Sequence, residues 1–317
     1  MKSPVLFLTY KRYNTSQRVF QAIREAKPPR LYFASNAPNP KHEGDALKVD
    51  KVRNLIKLVD WQCEVHTLFR TEHLSVKYSI SSAIDWFFKN EAEGIILEDD
   101  VLPIPTFFLY CDELLEKYRH DKRIGVISGS NFISKRFTTT DSYYFSRYNH
   151  IWGWASWRRA WCLSDISMKA WPSWRDSGGL NTISDGNKLF ELYWEDEFNR
   201  TYHGVINTWD FQWRFTCWYY GMLTAVPIHN QTYNLGFGPD AVHTKGEIPD
   251  YLIESIPKPV TFPLSHPYRV ERSVNADALL DRFAFGITRK EVIRRNIRRL
   301  PLIGYCLKKI KILRKKI

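Results

Sequence analysis

The chain has 317 residues, 44% hydrophobic and 25% charged, which indicates a folded body with one large core or two modest ones. Its net charge of +12 suggests nucleic acid until the charge is located: residues 289–317 hold twelve Lys or Arg against one acid, leaving 34 basic and 33 acidic residues elsewhere. With a near-neutral body, a basic groove crossing the folded domain is not indicated, and no nucleic-acid partner is expected. No run of about 18 uninterrupted apolar residues occurs, and "MKSPVLFLTYKRYN" is too short and too soon polar for a signal peptide, so the expectation is a cytoplasmic protein without a spanning helix. The five cysteines are odd in number, far apart and never in a C-x-x-C pattern, and read as reduced packing residues.

In chain order, Val5 to Thr9 reads as a short buried strand, followed by a polar loop and a helix with Val19, Phe20 and Ile23 inward. Leu31 to Ala34 is a second strand and Glu64 to Phe69 a third, and between them Val49, Val52, Leu55, Ile56 and Val59 have helical spacing. "SVKYSISSAIDWFFKN" is another helix before the strand Ile95 to Leu97, and "RIGVISGSNF" holds a further strand. Strands alternating with helices predict a mainly parallel, Rossmann-like sheet with ligands beyond the carboxyl ends of its strands. That edge gathers Thr9 to Arg12, Ser35 and Asn36, Arg70, and Glu98 to Asp100. Neither G-x-G-x-x-G nor G-x-x-x-x-G-K-[ST] follows the first strand, so no dinucleotide fingerprint or Walker loop explains it.

From there the texture changes, with ten of the twelve tryptophans between Trp152 and Trp218. Such density serves a core and also suits a cleft where flat apolar faces meet a ligand. Trp154, Trp157 and Trp161 in "WGWASWRRAW" have the spacing of a buried helix face, whereas Trp152 and Gly153 offer a stacking surface and a close backbone approach at a donor or acceptor sugar. Glu195, Asp196 and Glu197 form a second acidic cluster that could compete for a base role but reads as a solvated helix face. "GMLTAVPIHNQTYNLGF" is strand-rich, and "IPKPVTFPLSHPY" looks like an extended strap.

Three adjacent acids at the end of a buried strand repel one another and persist where a cation or a set of hydroxyls takes up the charge. Mg²⁺ or Mn²⁺ suits oxygen ligands from one or two carboxylates plus phosphate. A solvated turn or an N-cap ahead of "TFFLYCDELLEKY" is the plain alternative.

"PVLFLTYKR", "IILEDD", "WGWASWRRAW" and "TWDFQW", in that order, resemble GT-A fold glycosyltransferases, and more closely N-acetylglucosaminyltransferase I and related bacterial family 2-like sugar transferases, over about residues 3 to 245. The resemblance implies an α/β GT-A (nucleotide-diphospho-sugar transferase) fold and metal-dependent transfer of a sugar, with inversion, from a nucleotide-diphosphate donor such as a UDP-sugar to a glycan or lipid-linked acceptor. It implies Asp100 as metal ligand with Mn²⁺ or Mg²⁺ as cofactor, Glu98 and Asp99 on the sugar and ribose hydroxyls, Arg12 on the uracil or diphosphate, and Thr9 on the same donor edge. Asn36 stands where that family places an Asp toward the base. Asp210 matches the general base, although an Asp there is also suited to opening the helix "FQWRFTCWYYG". His243 is a candidate second metal ligand, Lys245 a diphosphate contact, and Arg70 and Lys77 are weaker donor-site candidates.

Residues 289–317 place Ile293, Ile297, Leu300, Ile303, Leu307, Ile310 and Leu313 three or four apart among basic residues, the pattern of a helix lying on an anionic membrane surface, with attachment to the inner face expected. A helix packed on the domain with a solvated basic face is the alternative, and an RNA-binding arm is the third. The chain is thus divided into a nucleotide-sugar half (1–130), an acceptor half (131–255), a strap (256–288) and the tail. A sugar nucleotidyltransferase and a non-catalytic carbohydrate-binding protein are the competing readings; the first usually needs a Gly-rich loop after strand one, which "TYKRYNTSQ" lacks.

Overall fold

The computed structural model describes residues 1–237, 253–290 and 292. His243, Lys245 and nearly all of the basic tail therefore lie outside the described residues.

The first half alternates as its hydrophobic pattern requires: β1 (Val5–Thr9), α1 (Tyr13–Ala26), β2 (Arg30–Ser35), α2 (Asp45–Arg53), β3 (Glu64–Phe69), α3 (Val76–Asn90), β4 (Glu93–Glu98), β5 (Val101–Pro103) and α4 (Pro105–Lys117). The second half contributes β6 (Ile124–Ser128), β7 (Tyr143–Ser146), β8 (Trp154–Trp157), α5 (Arg158–Trp161), α6 (Trp171–Asp176), α7 (Lys188–Tyr202), α8 (Asp210–Tyr219), β9 (Leu223–Pro227) and β10 (Thr232–Asn234). Eight strands form one sheet in the order β3-β2-β1-β4-β8-β6-β9-β7. Only β8 and β7 run against the others. The expected α/β architecture, a Rossmann-like, mainly parallel sheet flanked by helices, is the one observed.

Both faces of the sheet are covered at its centre, which explains why β1, β4 and β6 are nearly continuous apolar runs, while the edge strand β3 is polar and more exposed. Val5, Phe7, Ile95 and Leu97 pack with α1 and α4 on one face, while Leu6, Leu8 and Ile96 pack on the other with α3 and the tryptophans. Strand alternation divides "WGWASW" between them. Trp154 and Trp157 belong to β8, not to a helix, and face opposite cores; only Arg158–Trp161 is helical. The helical spacing misled because β8 is wedged between β4 and β6, where pairing overrides it. Glu197 likewise departs from a solvated face: it is buried on α7 with Arg200 at 3.6 Å.

Residues 256–267 of the span read as strap have no regular secondary structure and bend at Phe262 and Pro263, with Val260 and Leu264 buried in the α1/α4 core and the Ser265 carbonyl accepting from Ser142 N at 2.8 Å. Within the span read as strap, however, Val274–Phe283 is a helix, opened by Ser273, whose side chain accepts from Ala276 N. Its Asp277 and Asp281 are buried against Arg147, the latter at 2.9 Å. Among the described cysteines none is in a disulfide; Cys111 and Cys217 are buried and Cys162 is exposed.

Trp157, whose Nε1 donates to the Leu115 carbonyl at 3.2 Å, is core, and Trp152 is only partly buried. Trp157→Ala should lower unfolding stability by about 3–5 kcal/mol, and Trp152→Ala by clearly less, as read by denaturant titration. Burial pushes the Asp277 carboxyl up to about 6, so its contribution to stability is complete below the ordinary carboxylate range and lost as pH rises through about 6. The difference in stability between the protein and its Asp277→Asn variant, followed from pH 4 to 7, should show that loss.

Candidate functional site

Register aligns the strand ends. Thr9 pairs with Ser35, Ser35 with Phe69, and Leu8 with Glu98, so Arg12, Asn36, Arg70 and the acids stand along one edge. Their engagements differ. Thr9 Oγ1 donates to the Ala34 carbonyl at 3.0 Å and braces the edge. Asn36 clasps the β3–α3 loop: its Nδ2 donates to the Leu74 carbonyl at 2.9 Å, and its Oδ1 accepts from Ala37 N and Leu74 N. Little of that amide is left to read a base. Arg70 turns toward α3, donating to Ser82 Oγ at 2.6 Å, and burial lowers its pKa.

The acids meet the start of α1. Arg12, the residue capping that helix, places its guanidinium between Asp99, in close contact, and Asp100 at 2.9 Å. Asp99 is buried and also accepts from Tyr10 N at 3.3 Å. Burial pushes its carboxyl up to about 6 even though Arg12 pulls the other way. The side chain of Asp100 keeps 18% of its surface open. Its carbonyl accepts from Leu235 N at 2.7 Å, and pairing of β10 with β5 fixes residues 232–234 beside it. At Gly236 a Cβ would overlap Asp100 Oδ2, so a larger residue there would have to displace the carboxylate.

Glu98 follows the alternation of Ile96 onto the tryptophan face. Its carboxyl is recessed, makes no hydrogen bond or ion pair among the described residues, and has its pKa raised well above the usual range by burial and then by Asp100, Asp99 and Asp210, against Arg12. Asp210 is thus brought within electrostatic reach of the triple acid from more than a hundred residues away. It is the first residue of α8, Trp209 holds the capping position, and no side chain caps the helix. The Asp210 carboxylate accepts from the Thr208 hydroxyl instead and remains partly open.

Trp152 and Gly153 complete the rim. Gly153 has φ of +69°, and a Cβ there would come 2.8 Å from Thr232 Cγ2 and 3.4 Å from Val101, the residue after Asp100. The Trp152 ring stands edge-on to Phe132 at 5.1 Å and to Phe237 at 6.3 Å. Neither phenylalanine was singled out by sequence; only "GF" and "NF" at strand ends hinted at them. Arg214 was also missed, although its place four residues after Asp210 was a readable signal. It is buried, donates from Nε to Asn149 Oδ1 at 3.0 Å, and makes no ion pair among the described residues.

Three further carboxylates, Asp99, Asp100 and Asp210, thus act on Glu98, with Arg12 the one cation in ion-pair contact with these acids among the described residues. That surplus suits a divalent cation or a cluster of hydroxyl donors. Among the described residues no group of three or more His, Cys, Asp or Glu would hold an ion unaided, so a cation at Asp100 would need oxygens from a ligand such as a diphosphate. Among them, too, no helix is long and apolar enough to cross a membrane.

No protein-family model matches the sequence, and no curated protein matches it. Solved structures to which the chain is similar include apo UDP-glucose pyrophosphorylase, at 9% identity over 80% of this chain and 97% of that one with a TM-score of 0.37. Inositol-1-phosphate CTP transferase from T. maritima gives 9% identity, 71% and 85% coverage and 0.35. Apo mouse xyloside xylosyltransferase 1 gives 12% identity, 68% and 81% coverage and 0.34. At these identities and scores the similarity assigns neither a reaction nor a role to any residue of this chain.

Proposed function

We propose that the protein is a glycosyltransferase that moves a sugar from a nucleotide-diphosphate donor to an acceptor hydroxyl on a glycan or lipid-linked glycan, as the resemblance to N-acetylglucosaminyltransferase I implies. The observation that carries this reading is the approach of Asp210, uncapped and partly open, to the recessed Glu98 beside Arg12 and Asp100. It would supply a base near a cation-seeking diphosphate site.

In this reading the acceptor oxygen attacks the anomeric carbon while the bond from that carbon to the diphosphate oxygen breaks. The electron pair leaves on the nucleoside diphosphate, and the acceptor proton goes to Asp210. Arg12 faces the departing phosphate charge, held in place by Asp99. Glu98, with its raised pKa, donates a hydrogen bond to the donor sugar, and Trp152 stacks on a sugar face. Mn²⁺ or Mg²⁺ held by Asp100, with His243 as the candidate second ligand, would supply charge neutralisation for the leaving diphosphate. Thr9 and Asn36 shape the donor edge, and Lys245 and Arg70 stay donor-site proposals. Attachment of residues 289–317 to an anionic membrane surface would bring a lipid-linked acceptor within reach.

Release of nucleoside diphosphate from a panel of nucleotide sugars, with and without Mn²⁺, tests the reading. Pyrophosphate formed from a sugar phosphate and a nucleoside triphosphate would identify a nucleotidyltransferase instead, and sugar binding with no turnover would identify a lectin-like protein. Asp100→Ala should remove the stimulation by metal; undiminished release would refute its role as ligand. Asp210→Asn should reduce kcat by roughly 10²–10⁴-fold while donor affinity, measured by calorimetry, stays within a few-fold.

A further inference from the structure

The connection from β7 to β8, residues 147–153, carries Trp152 and Gly153 to the rim of the site, and it has no regular secondary structure of its own. It is nevertheless held at nearly every residue. At its start, Ser146 Oγ donates to Asp277 Oδ1 at 2.5 Å and Arg147 N to Asp277 Oδ2 at 3.3 Å. The Arg147 guanidinium donates to Asp281 at 2.9 Å, and the Tyr148 hydroxyl donates to the other oxygen of Asp281. From α8, Trp218 Nε1 donates to the Arg147 carbonyl at 2.7 Å and Arg214 to Asn149. At the far end, Ser130 and Thr232 hydroxyls donate to the Trp152 carbonyl at 2.8 and 3.0 Å, and Gly129 N to the Gly153 carbonyl at 2.7 Å.

Two of these anchors, Asp277 and Asp281, come from about 130 residues away and sit one turn apart on the Val274–Phe283 helix. We propose that Asp277 and Asp281 are positioning residues, which act through Ser146, Arg147 and Tyr148 to fix residues 147–153 so that Trp152 and Gly153 stand beside Asp100. The proposal rests on the reading of Trp152 and Gly153 as sugar contacts. A fully buried ion-pair cluster is a weak source of stability, because desolvation offsets the attraction, and a better-attested use is to specify one arrangement. Burial raises the pKa of both acids against the pull of Arg147 and Arg272, the latter 3.4 Å from Asp277.

The test uses Asp281→Asn, Arg147→Met and the pair combined. Hydrogen exchange should show faster exchange confined to residues 147–153, with β1 to β4 as protected as in the parent protein, and the combined variant should be little worse than either alone. Unchanged exchange at 147–153, or a uniform rise across the sheet, would overturn the proposal whether or not the protein transfers sugars. In the turnover assay, Asp281→Asn should raise the KM for donor or acceptor by roughly tenfold with a smaller change in kcat, and this effect should vanish in a Trp152→Ala background. If the parent protein releases nucleoside diphosphate and the effect persists without Trp152, the positioning role fails while the transferase reading stands. If the parent releases none from any donor, the transferase reading fails, and the exchange experiment decides the positioning role.

Discussion

Asp99 and Asp100 share one guanidinium, and that guanidinium belongs to the residue from which α1 starts. Two adjacent carboxylates at a strand end cannot both remain charged at close quarters without a counter-charge, and Arg12 supplies it from a backbone position set by the β1–α1 turn. With Asp99 buried against Arg12, Asp100 is oriented outward and Glu98, by strand alternation, to the other face. One ion-pair cluster thus assigns three neighbouring acids to three environments. Their separation is what gives the edge a structural member, a partly open carboxylate and a recessed acid from an uninterrupted run of charge.

The opposing half of the site depends on packing. Trp154 stacks on Trp209 at 5.9 Å, and Trp161 meets Trp213 at 5.0 Å, so the helix carrying Asp210 is seated on β8 by flat apolar surfaces. Such contacts are broad, and they fix the axis of α8 better than its end. The end is fixed by hydrogen bonds, with Thr208 on the Asp210 carboxylate and Arg214 on Asn149. The tryptophans therefore serve mainly as core, and Trp152, at the margin, is the exception.

Much of the first half was legible because its elements are local. Val5 to Thr9 and Glu64 to Phe69 are bounded as the apolar runs suggest, and the aligned strand ends follow from alternation of strand and helix. Asp210 was legible only through a resemblance, since nothing in "TWDFQW" says that it will face Glu98. What stayed hidden depended on distant pairing. A strand such as Trp154–Trp157 mimics a helix in its spacing until β4 and β6 enclose it, and the two acids of "NADALLDRF" look like the polar face of an exposed helix. Their partner Arg147 lies more than a hundred residues earlier, and no local pattern announces it. Asn36 shows the converse: its place at a strand end was readable, its capture by Leu74 was not.

Gly236 has a consequence of a different kind. A Cβ added there would overlap Asp100 Oδ2, the oxygen that Arg12 holds at 2.9 Å, so a single methyl group would have to displace the carboxylate from Arg12. An alanine at 236 would leave every titratable group of the site in the sequence and yet rearrange the charge around Arg12. The site thus carries a steric fuse: its electrostatics can be disconnected by the net addition of one carbon and two hydrogens at a residue with no chemistry of its own.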